Sequence, residues 1–269
     1  MKKRILALLA ACLLLLAACH RTTEEPPQPQ PEPPVTEPVE PEDNGITVES
    51  AVTSGTETGQ GDVELLRWSL SLPQVKWKGQ PMMNIGNYYD TLQEKSSLRV
   101  QEELLPMAQE RREVADVDGS LFTPFSWEAE YAVARNKGNY LSIKRQTTSF
   151  TGGVHEANEL AAENWLLRDG DCYLLSIQDI LPGAGAPRDL LLDKAVEQAA
   201  AKAAEQPDAF FEQYEQLMRD VWQESDWFLT EQAVCLFFPE YAIGPYIAGP
   251  QVFEIPLGDL GDSLAEGLR

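Results

Sequence analysis

The sequence predicts an α+β fold: an antiparallel sheet with helices packed on one face, preceded by a small α/β subdomain. Three observations carry this prediction. Four short alternating segments follow one another with turns between them, which is typical of an antiparallel meander. Two amphipathic helical segments come next, and two strongly apolar strands lie near the end of the chain. Helices between a meander and a closing hairpin indicate separate helical and sheet layers.

The small subdomain is predicted over residues 63–122. Val63–Leu72 alternates loosely between apolar and polar residues and ends at Pro73, as expected for a first strand, which Val75–Trp77 could extend. Met83–Glu113 carries an apolar stripe at helical spacing, which Pro106 interrupts. The sequence therefore predicts one strand followed by one long, broken helix.

The larger α+β domain is predicted over residues 123–262. Its predicted elements, in order, are strands Phe125–Arg135, Tyr140–Ser149, Leu160–Arg168 and Cys172–Leu175, helices Ser176–Leu181, Arg188–Glu205 and Pro207–Trp222, and strands Val234–Phe238 and Val252–Ile255. The last two strands are so apolar that we expect them to pair with strands formed much earlier in the chain. Four tryptophans are expected in the core because they fall at buried positions of these patterns: Trp127, Trp165, Trp222 and Trp227.

Residues 1–19 have the pattern of a lipoprotein signal peptide. Three basic residues precede the uninterrupted apolar run Ile5–Ala18, whose 14 residues are short for a membrane span of ~20 residues. Leu16–Cys19 (LAAC) resembles the bacterial lipobox, in which the cysteine receives a lipid and becomes the mature N-terminus. This pattern predicts a protein held on the extracytoplasmic side of the cell membrane by the lipid on Cys19; an ordinary secretory signal is the alternative.

Residues 20–62 are predicted to be a disordered tether. Eight of the sixteen residues from Pro26 to Pro41 are proline, and residues 22–66 contain eleven acidic residues and no basic one. Such a segment cannot bury enough apolar surface to offset the entropy of ordering. We therefore expect an extended stalk, with Thr53–Gly61 as its flexible end.

The strong acidity of the chain bears on its partners. Its formal net charge is −22 at pH 7. This charge disfavours nucleic acid and anionic lipid headgroups as partners, and it permits a cationic partner.

Two cysteines remain in the predicted globular part. Cys172 and Cys235 both fall in predicted strands of a chain expected to be exported, where a disulfide could persist. The alternative is two unrelated buried thiols, because free cysteine packs as a small hydrophobic residue.

The sequence lacks the motifs of common catalytic and metal sites. It has no HExxH, CxxC, GxSxG, Walker or GxGxxG motif, and His155 is the one histidine of the predicted folded part. We therefore predict no metal site, no cofactor and no enzymatic activity. Carboxylates are too numerous for any pair to indicate a glycosidase, so a hydrolase of the cell wall stays an alternative.

A proline-rich turn is the best candidate for a contact surface. Pro239, Tyr241, Pro245 and Tyr246 lie between the two closing strands, and aromatic side chains on rigid turns are low-entropy anchors for a ligand. His155, which follows Gly-Gly-Val, is the other candidate. In the competing interpretation, both tyrosines pack inward and His155 only caps a strand.

Two motifs resemble a known family. They are Phe150–His155 (FTGGVH) and Tyr241–Gly249 (YAIGPYIAG). In their order among the predicted elements, over about Tyr131–Leu260, they are similar to the C-terminal domain of RsiV-type anti-sigma factors, which many exported bacterial proteins of unknown function share.

The sequence departs from that family's pattern at three places: Phe150 replaces Tyr, Val154 replaces Ala, and Glu240 is inserted. Val63–Arg112 more weakly resembles the small domain that precedes it in RsiV and in the deacetylase PdaC. The sigma-binding segment of RsiV does not occur in this sequence, so we do not expect anti-sigma activity.

The resemblance implies a ligand-binding ectodomain, because the paired domains of RsiV bind lysozyme. The expected function is recognition of a cationic, lysozyme-like muramidase or of peptidoglycan glycan by a membrane-anchored lipoprotein. The alternatives are a cell-wall-modifying hydrolase and a structural surface lipoprotein.

Overall fold

The structure, a computed structural model, describes residues 44–269. The predicted signal peptide, Cys19 and the proline-rich part of the predicted tether lie outside the described residues. Within residues 44–269, the α+β class is confirmed: a curled seven-stranded sheet carries helices, and a second, three-stranded sheet lies against it.

The strands are β1 (Ile46–Thr58), β2 (Glu64–Trp77), β3 (Gln80–Pro81), β4 (Phe125–Lys137), β5 (Tyr140–Phe150), β6 (Ala157–Arg168), β7 (Asp171–Leu174), β8 (Trp227–Leu229), β9 (Ala233–Phe238) and β10 (Gln251–Pro256). The helices are α1 (Met83–Leu98), α2 (Leu105–Asp118), α3 (Ile177–Ile180), α4 (Pro187–Glu205) and α5 (Tyr214–Val221), and a π-helical turn at Arg99–Leu104 joins α1 to α2.

The large sheet has the strand order β1-β2-β4-β5-β6-β7, with β3 attached to β2. The predicted meander is confirmed, because β4, β5, β6 and β7 pair antiparallel in sequence order. Strand β2 runs parallel to β4 over Leu66–Leu70. The crossover between these two strands is the α1–α2 helix, which places that helix on one face of the sheet.

The predicted end of the tether at residue 62 is wrong. Residues 46–58, including most of Thr53–Gly61, form β1, which pairs with β2 along its whole length. The polar composition of this segment is typical of a linker, and β1 is indeed largely exposed. Its order comes from the backbone pairing with β2, which side-chain composition does not reveal.

The predicted boundary at residues 122 and 123 does not separate two sheets. Strand β2, from the predicted small subdomain, hydrogen-bonds to β4, from the predicted larger one. The first strand also runs past Pro73 to Trp77. Proline is tolerated there because β4 accompanies β2 only as far as Leu70, so Pro73 has a paired neighbour, β1, on one side only.

The long helix is broken where the sequence predicted. Pro106 has no backbone N–H to donate, and the chain widens into the π-helical turn just before it, where Leu105 N–H bonds to Val100 O. At the other end, the backbone N–H of Asn84 is capped by the carboxylate of Asp171 at 3.1 Å. The cap comes from β7, so the tertiary fold fixes the start of α1.

The closing strands do not join the large sheet. They form a separate sheet with β8, which directly precedes them, in the order β10-β9-β8, so the expectation that they pair with much earlier strands is wrong. Helix α5 is also shorter than predicted and starts at Tyr214 rather than at Pro207. The residues before it do not continue the helix, because Phe211 N–H bonds to Ile243 O, in the turn between β9 and β10, at 3.0 Å.

The molecule is layered. Helices α1 and α2 cover one face of the large sheet, the small sheet packs on its other face, and α4 and α5 cover the outer face of the small sheet. The side chains of Phe228, Cys235 and Phe237 contact Leu160 and Ala162 between the two sheets. The four tryptophans predicted for the core are all buried, as expected: Trp127, Trp165, Trp222 and Trp227.

Of the two alternatives for the cysteines, the structure has the two separate buried thiols. Cys172 and Cys235 are both free and buried, and they belong to different apolar clusters on opposite faces of the large sheet. The Sγ atom of Cys172 lies 3.8 Å from Sδ of Met82. Burial raises the pKa of both thiols to about 12, so they are packed, unreactive side chains.

Candidate functional site

Two loops that are far apart in sequence meet at one end of the sheets. The loop between β5 and β6 carries His155, and the turn between β9 and β10 carries Tyr241 and Tyr246. The imidazole of His155 stacks on the ring of Tyr246, with centroids 3.6 Å apart and an interplanar angle of 18°. Tyr241 lies beside both rings, 5.6 Å from Tyr246 and 6.4 Å from His155.

The β9–β10 turn is fixed from inside by its small and apolar residues. Ile243 is fully buried in the core beside α4 and α5. At Gly244, a Cβ atom would lie only 2.5 Å from the carbonyl oxygen of Ala209, so glycine is needed for this close approach. The turn therefore presents its tyrosines from a rigid base.

Gln251 holds the end of the same turn. Its side-chain amide donates to the carbonyl oxygens of Ala248 and Gly249, and its Oε1 accepts from Nζ of Lys202 in α4 at 2.7 Å. Gln251 is almost completely buried. Because the side-chain amide and carbonyl of Gln251 both have hydrogen-bond partners inside the protein, these contacts stabilise the end of the turn.

Tyr241 has a strained backbone. Its φ of 60° lies in the left-handed region, which costs roughly 1 kcal/mol for a residue with a side chain. Ile243, two residues later, points into the core, while the ring of Tyr241 is 54% exposed. The strained conformation thus turns an aromatic ring outward on a turn that is otherwise packed.

Polar contacts tie the two loops together. Tyr246 Oη donates to the carbonyl oxygen of Glu156 at 2.8 Å. Across the same junction, the carboxylate of Glu240 accepts from the backbone N–H and the side-chain amide of Asn158 at 3.0 and 2.8 Å. Desolvation and the negative charges of Glu240 and Glu156 raise the pKa of Tyr246, so its hydroxyl stays protonated.

The exposed residues next to these rings are apolar. Val154 precedes His155 and is 99% exposed, and Ile247 follows Tyr246 and is 93% exposed. We call Val154, His155, Tyr241, Tyr246 and Ile247 together the paired-loop surface. Single exposed apolar side chains are ordinary on a protein surface, but here each of two joined loops carries one directly next in sequence to a stacked aromatic ring, as an interaction site requires.

The structure brings the predicted site residues together only in part. His155, Tyr241 and Tyr246 form one cluster, and neither tyrosine belongs to the apolar core. Pro239 is exposed, and Pro245 starts the short helical turn Tyr246–Ala248. The two prolines therefore shape the turn.

Sequence reasoning missed several residues of this surface. Val154 and Ile247 carry no chemistry that a motif search would find, and the contact of Glu240 with Asn158 joins residues 82 positions apart. Glu240 is the residue inserted into the family pattern, and this insertion is the signal in the sequence from which its role could have been suspected. Arg111 of α2 packs beside Gly152 and is a basic side chain bordering the surface.

A groove of about 320 Å³ opens next to the paired-loop surface, between the two sheets. Its apolar wall is formed by Phe228, Pro250 and Val252, and Glu130 and Lys144 lie on its polar side. The Nζ atom of Lys144 lies 5.6 Å from the centre of the Phe228 ring. Pro250 belongs to the β9–β10 turn, so a ligand on the loops could extend into this groove.

Two further features concern residues 44–269 only. None of their helices is long and apolar enough to cross a membrane. Among the same residues, no group of three or more His, Cys, Asp or Glu side chains is placed to hold a metal ion.

Comparisons with known proteins agree with the fold. Residues 178–258 match the family model DUF3298, described as a protein of unknown function. The match runs from α3 to just beyond β10, so it includes the turn with Tyr241 and Tyr246 and leaves out His155. No curated protein matches the chain.

Two solved structures of that family have a similar fold. A DUF3298 family member from Bacteroides fragilis superposes with a TM-score of 0.54 at 18% identity, over 83% of this chain and 96% of that one. A DUF3298 family protein from Pseudomonas aeruginosa PAO1 gives a TM-score of 0.52 at 19% identity, over 82% and 96% of the two chains. This is therefore an α+β protein in which residues 178–258 match the DUF3298 model, and its similarity in fold to the two solved structures reaches well beyond that segment.

Proposed function

We propose that the chain is a lipid-anchored extracytoplasmic binding protein whose paired-loop surface docks a cationic extracellular protein. One observation carries the proposal: two joined loops place His155, Tyr241 and Tyr246 together, and the negative charges of Glu240 and Glu156 act on Tyr246. Binding surfaces of proteins combine such anchors with a polar rim.

The rigidity of the surface favours binding because little entropy is lost on contact. Tyr246 is stacked and hydrogen-bonded before any ligand arrives, and the neighbouring Ile243 is locked in the core. A preorganised aromatic side chain keeps more of its contact energy as affinity than a mobile one. Exposed Tyr241 and Ile247 are then the main candidates for direct contact.

The charge of the protein supports a cationic partner. The net charge is −22, and neither residues 150–158 nor residues 239–252 contain Lys or Arg. Such a surface attracts a basic protein over distances up to about the Debye length of ~8 Å at physiological salt. The family resemblance makes the partner more specific: a lysozyme-like muramidase.

Binding to hen lysozyme at low and moderate salt tests the proposal, with residues 40–269 immobilised because β1 belongs to the fold. We expect Tyr241→Ala and Ile247→Ala each to weaken binding by about 10- to 30-fold, as for anchor residues of an interface. Affinity should also fall with added salt.

Met83→Ala is the matched control, because Met83 is 73% exposed and lies by Asp171 at the opposite end of β6. It should leave binding unchanged. Binding to purified peptidoglycan but not to lysozyme would mean that the ligand of this surface is a glycan. Release of soluble wall fragments would indicate a hydrolase. Absence of binding to both would refute the proposal.

The anchor requires a separate test. We propose that the lipobox sequence Leu16–Cys19 directs lipid attachment to Cys19. Cys19→Ser should move the protein from the membrane fraction to the soluble fraction and abolish incorporation of labelled palmitate. Cys12→Ser, within the apolar run, is the control and should change neither. Continued labelling of the Cys19→Ser protein would contradict the anchor.

A further inference from the structure

A cluster of polar side chains is buried between α1 and the large sheet. At its centre is Glu163 of β6, which is only 3% exposed. Arg145 of β5 approaches it, with 3.7 Å between Nη2 and Oε1, and Tyr88 of α1 donates to the same oxygen at 3.5 Å. Both distances are long, so these contacts are weak for an ionised carboxylate.

Two further tyrosines complete the surroundings of Glu163. Tyr89 of α1 packs edge-on against Tyr131 of β4, with ring centroids 5.7 Å apart, and Tyr88 packs edge-on against Trp165 at 5.2 Å. The titratable and charged groups around Glu163 are thus Arg145, Tyr131, Tyr88 and Tyr89. The pair formed by Arg99 of the π-helical turn and Glu159 lies farther along β6, with an N–O distance of 3.8 Å.

Several polar atoms in this cluster are incompletely satisfied. Among the residues described, Oε2 of Glu163, Oη of Tyr131 and Nε of Arg145 are buried without a hydrogen-bond partner. Buried polar atoms are normally paired, and a cluster of exceptions indicates a functional or strained place. A proton on Oε2 would remove the buried charge and provide a donor that could turn toward a tyrosine hydroxyl.

The ionisation of Glu163 falls near neutral pH. Burial raises the pKa of this carboxyl to about 7, against the opposing charge of Arg145. Burial also raises the pKa of Tyr88 to about 12 and moves that of Tyr131 upward. The tyrosines therefore stay neutral, and Glu163 is the member of the cluster that changes charge.

Helix α1 is the element that can respond. Of its sixteen residues, Ile85, Tyr89 and Ser96 are buried, and Tyr89 and the half-buried Tyr88 pack on the cluster. A surface pocket of about 320 Å³ lined by Tyr89 borders one side of the helix, and an open depression of about 310 Å³ lined by Tyr88 borders the other.

We propose that Glu163 is a proton-binding site that controls how tightly α1 packs against the large sheet. With the proton bound, the cluster is uncharged apart from Arg145, and α1 packs closely over it. Without the proton, the buried carboxylate has only the long contact with Arg145 and requires water, which reaches it when Tyr88 and Tyr89 move with their helix. This device is separate from the paired-loop surface, since it lies between α1 and the large sheet and not on the loops at the end of the sheets.

Amide hydrogen exchange at about pH 5.5 and pH 8.5 tests the proposal on the full chain. The readout is the protection of α1 amides divided by that of α4 amides, which removes the intrinsic pH effect on exchange. We expect this ratio to fall about tenfold or more at the higher pH in the wild type. It should stay constant in Glu163→Gln, which cannot ionise.

Glu128→Gln, an exposed carboxylate on neighbouring β4, should behave as the wild type. A ratio that does not change with pH in the wild type, or that falls equally in Glu163→Gln, would overturn the proposal. If Glu163→Gln does not fold, carbon-13 NMR of the wild-type Glu163 carboxyl gives a direct answer. A midpoint near that of a free glutamate excludes the switch.

Discussion

Glu163→Gln should make the protein more stable at neutral pH, although it removes one partner of a buried ion pair. Folded Glu163, with its pKa raised to about 7, keeps its proton to about that pH, whereas in the unfolded chain the carboxyl loses it near the ordinary glutamate pKa of 4.5. Between these values the folded state binds more protons, so the stability that the neutral acid provides is lost as the pH rises. Glutamine mimics the neutral acid and cannot lose that stability.

The expected gain grows with pH in a way that follows from linkage. The pKa of Glu163 in the folded state exceeds that in the unfolded state by about 2.5. This difference lowers the unfolding free energy by about 3 kcal/mol once the group is fully ionised in both states. The difference in unfolding free energy between the variant and the wild type should therefore widen from about 1 kcal/mol near pH 5.5 to about 3 kcal/mol near pH 8.5.

Urea unfolding at the two pH values measures this difference. The exposed Glu128→Gln variant should track the wild type at both, because its carboxylate is solvated in the folded and unfolded states alike. A constant difference between Glu163→Gln and the wild type would show that Glu163 is already ionised at the lower pH.

Gly244→Ala should destabilise the protein by about 2 to 3 kcal/mol, although it adds a single methyl group. The new Cβ would meet the carbonyl oxygen of Ala209 at 2.5 Å, and neither backbone can yield freely. The hydrogen bond from Phe211 N–H to Ile243 O fixes the segment that contains Ala209, and the burial of Ile243 fixes the segment that contains Gly244. The strain should also displace Tyr241 and Tyr246, so binding should weaken together with stability.

Gly258→Ala is the matched control. Gly258 lies in a short turn after β10, and a Cβ there would have open space around it. Its unfolding free energy should stay within about 0.5 kcal/mol of the wild type, as for most surface substitutions. Thermal or urea unfolding of the two variants checks both values. If the Gly244→Ala variant has the same unfolding free energy as the wild type, the turn can move away from Ala209.

The paired-loop surface shows what a motif can and cannot predict. The FTGGVH and YAIGPYIAG segments are enough to point to His155, Tyr241 and Tyr246 as candidates. The stacking of His155 on Tyr246 could not be predicted from the sequence, because the contact joins residues 91 positions apart through two different sheets. Glu163 gave no such signal, since its burial depends on the helix that crosses over β6.

The sequence by itself determined the elements whose pattern is local. The meander from β4 to β7, the helix α4, the break at Pro106 and the burial of four tryptophans all follow from side-chain periodicity and backbone chemistry. These features depend on residues only a few positions apart, so they do not require knowledge of which elements are neighbours in the fold.

Only the tertiary structure decided which elements are neighbours. In the fold, the polar residues 46–58 form strand β1, β2 pairs with β4 in parallel, and β9 and β10 lie in a second sheet. The fold also keeps Cys172 and Cys235 apart and joins His155 to Tyr246. The physical reason is that strand pairing uses backbone hydrogen bonds, which are the same for every residue, so a strand's partner is selected by the packing of the whole molecule.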